Sequence, residues 1–163
     1  MRQRQAAMRE MLAPCLHGVG EARAARHTKD AGLRILADHQ GQLDLLQDRL
    51  AEAQTEFQKQ GAEGNRRMGV AMVEHASGHE KQSQAALKEL IAKNAGDMAY
   101  QVADVYAWRG EKDKAFEWLE RAYQQRDSGL NGIAWDPLLS NLKGDSRYSA
   151  LLAKLELTDG SGN

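Results

Sequence analysis

At 163 residues, with 42% hydrophobic and 28% charged, the chain is one domain of ordinary size that can bury a modest core. Two prolines and abundant Ala, Leu, Gln, Glu and Lys favour helix over strand, and the single cysteine, Cys15, excludes an internal disulfide framework and any multi-cysteine metal site. A formal net charge of −1 with interspersed signs argues against nucleic acid as a partner, and no apolar run approaches the ~20 residues that insert across a membrane.

Residues 1–40 read as a partly helical or disordered segment, because Pro14, Gly18, Gly20 and Gly32 cut it into pieces. The basic start Met1-Arg-Gln-Arg4 runs into Arg9 and Glu10 rather than an apolar stretch, so no secretory signal is expected. Leu43, Leu46, Leu50, Ala53 and Phe57 then follow helical steps of three and four. Two readings fit them. One is a continuous helix from about Asp30 to Gln60, whose heptad seam includes Leu36. The other, preferred because His39 and Gln60 interrupt that seam, is a helical hairpin turning near Gln47-Asp48-Arg49.

A second pattern, from about Asn65 to Ala76, carries Met68, Val70, Ala71 and Met72, and it breaks at Ser77-Gly78-His79. The next helix carries Ala86, Leu87, Leu90 and Ile91. It is expected to stop at Gly96 in a left-handed conformation, with Asp97 capping its successor. From Tyr100 to Tyr123 two amphipathic helices fold back about Gly110, with small residues at Ala103, Ala115 and Ala122 where they touch. The turns at Asp48, Gly78 and Gly110 are spaced by thirty and thirty-two residues, a period typical of stacked hairpins. Asp136-Pro137 then signals a helix with Leu138, Leu139 and Leu142, ending at Gly144. Asp145 caps a last helix with Tyr148, Leu151, Leu152 and Leu155, before a polar tail over 158–163.

These residues resemble tetratricopeptide repeats (TPR). The match runs best from about Gly96 to Gly129, through Val102, Ala103, Tyr106, Gly110, Ala115, Leu119 and Ala122. The preceding copy keeps Val70, Ala71, Gly78, Leu87 and Leu90, with Glu74 in the aromatic position and Ser83 in the alanine position. A third copy offers Leu50, Ala53 and Phe57, with Asp48 for the turn glycine, and Asp127 holds the place of the family's closing proline. The ending from Asp136 to Leu152 is similar to the cap of TPR regions in bacterial multidomain regulators, where the repeats follow winged-helix, adenylate cyclase or kinase domains. The resemblance implies an all-α fold, a short α-α superhelix of two to three hairpins over 41–129, closed by capping helices over 130–157.

It also implies a protein-interaction scaffold in signalling or regulation, with a groove for a peptide or helix of a partner. Met68, Met72 and His75 would share one groove face, and Tyr100, Gln101, Asp104 and Trp108 the next. For any one of these residues a core role is the competing assignment, with Met68 and Met72 inside and Trp108 against the cap. The alternative function is a homodimer formed along the Leu36–Phe57 seam, and a weaker one an accessory part of a separately encoded cyclase or kinase regulator. Trp118, Phe116 and Tyr123 are expected as inter-repeat core. His75 and His79 have ligand spacing, but the turn between them argues against a metal site. No catalytic motif or cofactor site is expected, and the expected location is the cytoplasm, with the periplasm open.

Overall fold

A computed structural model describes residues 40–157, all of them in one compact unit. The chain order is a helical segment over 40–46, α1 (Leu50–Gln58), α2 (Glu63–Ala76), α3 (Glu80–Asn94), α4 (Ala99–Trp108) and α5 (Lys112–Gln125). Two short 3-10 turns (Ser128–Gly132 and Ser140–Leu142) and α6 (Ser146–Lys154) complete it. The fold is all-α, built from packed helical hairpins. The features expected over residues 1–39 and 158–163, including those at Cys15 and Leu36, lie outside the described residues.

Each hairpin turns through the same backbone device. Asp48, Gly78 and Gly110 have positive φ values of 62°, 77° and 78°. In each case the left-handed residue donates its N–H three residues back: Asp48 to Leu45 (3.1 Å), Gly78 to His75 (3.0 Å) and Gly110 to Ala107 (2.9 Å). The next residue donates five back: Arg49 to Asp44 (2.8 Å), His79 to Glu74 (2.8 Å) and Glu111 to Tyr106 (2.9 Å). This pair of bonds is a Schellman stop, which satisfies carbonyls that a helix end leaves open. Glycine adopts it without a Cβ penalty, and aspartate is among the few other residues that tolerate it. The same pair of bonds ends α5 at Arg126 (φ 55°) and α6 at Glu156 (φ 57°).

Counting from each turn residue, equivalent positions fall inside. Gly41, Ala71 and Ala103, seven before the turn, are all buried, as are Ala53, Ser83 and Ala115, five after it. Small side chains there let the two helices of a hairpin approach closely. Ser83 replaces alanine without a buried unpaired hydroxyl, since it donates to the Ala71 carbonyl at 2.6 Å. Phe57, Leu87 and Leu119, nine after the turn, are buried too, and full burial of such a side chain contributes about 1.5–3 kcal/mol. Phe57 is larger than its counterparts and is accommodated by glycine on α2. A Cβ at Gly69 would stand 2.1 Å from Phe57 Cγ.

The hairpin reading of 40–58 therefore holds, and the seam does not run on as one helix. It reverses at 47–49, and Ala53 and Phe57 are buried within this chain. Other expectations need correction. Gly96 does not take the left-handed conformation. Both Asp97 and Met98 donate N–H to the Asn94 carbonyl (3.2 and 2.9 Å), and this extra turn carries the chain past Asp97. Met98 is then the residue before α4, which no side chain caps. The helix expected after Asp136-Pro137 is replaced by turns with three-residue bonds, Ser140 to Pro137 and Leu142 to Leu139. Leu138, Leu139 and Leu142 are all buried in this turn conformation. The Asp145 cap is present, its carboxylate accepting from the Arg147 N–H at 3.0 Å.

Candidate functional site

Helix α4 is apolar around most of its circumference, and a helix with that pattern is largely buried. It packs against α2, α3, α5 and the first 3-10 turn. The polar residues Tyr100 and Asp104 go inside with it, at 5% and 2% exposure. The segment 127–145, between α5 and α6, covers this side of α4 and supplies its hydrogen-bond partners. Tyr100 donates its hydroxyl to Asp136 (2.9 Å) and its backbone N–H to Asp127 (3.0 Å). The other carboxylate oxygens of these aspartates accept N–H bonds from Leu138 (2.8 Å) and Gly129 (2.9 Å). Gly129 must lack a side chain, because a Cβ there would meet the Tyr100 ring at 2.6 Å. Asn141 donates to the Ala107 carbonyl at 2.6 Å, and Tyr148 of α6 to the Ile133 carbonyl at 2.7 Å.

Asp104 lies among these acids without the pairing they have. Its Oδ1 is buried and has no hydrogen-bond partner. Burial, then the nearby Asp136 and Asp127, pushes its carboxyl well above the usual carboxylate range. Tyr100 is raised well above the usual phenol value by burial, Asp104 and Asp136. Tyr148 is pushed up to about 12 by burial and then Asp136. The other buried aspartate, Asp44, is treated differently: it pairs with Arg49 and accepts from Gln40 at 3.0 Å. Gln101 Oε1 is a second buried oxygen without a partner.

The remaining groove candidates divide. Met68 and Met72 belong to the core, at 3% and 0% exposure, and present no area to a ligand. Trp108 is half-buried and ties α4 to α2 by donating Nε1–H to the Met72 carbonyl at 3.2 Å. Half-buried His75 pairs through Nδ1 with Glu80 at 2.9 Å, and His79 pairs with Glu74 at 2.8 Å. The first of these bonds, from His75, holds Glu80 below the usual carboxylate range, with Arg109 adding to it. Among the described residues no group of three or more His, Cys, Asp or Glu is placed to hold a metal ion.

The chain matches no family model, no curated protein and no solved structure.

Arg109, whose side chain is 5% exposed, was not legible as a site residue. It donates to Ser83 Oγ (2.7 Å) and Gln84 (2.9 Å) and pairs with Glu111 (2.7 Å) and Glu80, joining one hairpin turn to the next. Its only sequence signal is its place before the turn glycine. Asp127 and Asp136 carried signals of position, as the closing residue of a repeat and as a cap, but neither pointed to Tyr100. The expected aromatic core is partly formed. Phe116 is buried and Trp118 half-buried, whereas Tyr123 is 37% exposed. Each ring carries a cation over it: Arg147, Arg121 and Lys154 respectively. Among the described residues, no helix is long and apolar enough to cross a membrane.

Proposed function

We propose that the chain is a protein-interaction module of the tetratricopeptide kind, presenting the first helices of successive hairpins to a peptide or helix of a partner. The observation that carries this reading is the recurrence, at residues 48, 78 and 110, of one left-handed turn with one pair of backbone bonds. Recurrent hairpins of this period stack into an extended surface rather than a closed cleft. On that surface His75, Gln101 and Trp108 keep partial exposure. Met68, Met72, Tyr100 and Asp104 act behind them as packing and support. Trp108 supplies apolar area, Gln101 a hydrogen-bonding amide and His75 an imidazole, a set suited to an extended or helical peptide. By its resemblance to regulator-linked repeats, the setting of this role is bacterial signalling in the cytoplasm.

The test is selection of binders from a displayed random-peptide library, followed by chemical-shift mapping of the strongest binder on the labelled chain. Shifts centred on His75, Gln101 and Trp108, with binding weakened at least tenfold by Gln101→Ala, are expected. Shifts confined to the outer faces of α3 and α5, or no enrichment at all, would refute the reading.

A further inference from the structure

Of the two aspartates buried among the described residues, one has a cation and the other does not. Asp44 is matched by Arg49 and Gln40. Asp104 has no such partner for its buried Oδ1. Tyr100 lies one turn earlier on its own helix, and Asp127 and Asp136 come from the segment laid over it. Among the described residues, the charges that act on Asp104 are those of Asp136 and Asp127, with none from α2, α3 or α5. Tyr148 of α6 reaches the same group through Tyr100. A buried carboxylate without a cation is far costlier than a neutral carboxyl in the same place.

The two facing aspartates are also the residues that fasten the C-terminal segment to Tyr100. A negative charge at Asp104 therefore repels the fastening itself. We propose that Asp104 is a pH-sensitive joint between the hairpin stack and the C-terminal segment: protonated, it lets segment 127–145 close over α4, and ionised, it loosens that segment. The proposal is independent of which partner the outer surface binds.

The sign follows from proton linkage. In the unfolded chain Asp104 ionises in the ordinary carboxyl range, near pH 4, whereas the folded chain keeps its proton to higher pH. The contribution is fully present below that range. It is lost as pH rises towards the raised folded value, by up to about tenfold in the folding equilibrium per pH unit. The proton released passes to solvent.

The experiment compares the wild-type chain with Asp104→Asn by urea unfolding at intervals from pH 5 to pH 8. Amide exchange at Tyr100, Leu138 and Leu87, corrected for intrinsic rates, is followed alongside. The folding equilibrium of the wild type should fall relative to Asp104→Asn as pH rises, with protection at Tyr100 and Leu138 lost before that at Leu87. Parallel pH profiles for the two proteins would overturn the proposal, as would equal loss of protection at all three amides. Asp136→Asn keeps the test decisive if Asp104→Asn fails to fold. Removing one facing charge should flatten the wild-type pH dependence, and an unchanged slope overturns the proposal.

Discussion

Alanine at Gly69 should destabilise the chain although alanine is the better helix former. In a helix interior such a change ordinarily stabilises by about 0.5–1 kcal/mol. Here the new methyl would stand 2.1 Å from Phe57 Cγ, 2.4 Å from its Cβ and 2.5 Å from its Cδ1. Contact with Cβ cannot be relieved by turning the ring alone, so α1 must move away from α2. Gly41 also lies beside the ring, where a built Cβ would stand 3.2 Å from it. Overpacking of this kind costs about 1–3 kcal/mol, and the steep geometry places Gly69→Ala towards the upper end. A net loss of about 1–2 kcal/mol is expected, read as a lower urea midpoint at unchanged slope.

Gly64→Ala is the matched control. Its methyl would also meet an atom at 2.1 Å, but that atom is Sδ of half-buried Met98, the end of a flexible side chain. Met98 can swing aside, so Gly64→Ala should leave stability within about 0.5 kcal/mol of the wild type. Equal or greater stability for Gly69→Ala than for the wild type would show that Phe57 does not seat against α2, and would remove the packing assigned to the first hairpin.

Other substitutions test separate parts of the structure. Arg126 holds the left-handed stop of α5 with an exposed side chain, so Arg126→Gly should raise the thermal midpoint, by up to about 1 kcal/mol in stability; a drop would mean the side chain is needed there. Arg109→Met should cost about 1–3 kcal/mol by removing charge-assisted bonds that link two hairpins. Arg109→Lys should recover only part of that, because one ammonium cannot replace the guanidinium fork; full recovery would contradict the network. Bonds from Arg147, side chain first and then backbone, hold the Asp145 carboxyl at about 2. Its contribution is therefore present above the ordinary carboxyl range and lost as pH falls from about 4 towards 2. Asp145→Ala should flatten that acid limb of the stability curve and fray α6, seen as faster amide exchange at Tyr148.

Much of the hairpin stack is legible without coordinates because its determinants are local. Gly78 and Gly110 mark turns through backbone freedom, Asp145 marks a helix start through its short acceptor side chain, and the three-residue spacing of Leu87 and Leu90, and of Leu119 and Ala122, marks buried faces. These signals act over a few residues, so a linear sequence carries them. What tertiary structure alone decided is which polar groups are enclosed and by what. Met68 and Met72 occupy a stripe that reads equally as core or as groove, and packing of α2 within the stack puts them inside. Leu138, Leu139 and Leu142 have helix-like spacing, yet the segment folds as turns with three-residue bonds, and all three are buried. Asp104 reads as a surface residue because nothing within a few positions could bury it. Its surroundings include Asp127, Asp136 and the segment between them, more than twenty residues further along the chain, which only the folded shape brings beside α4.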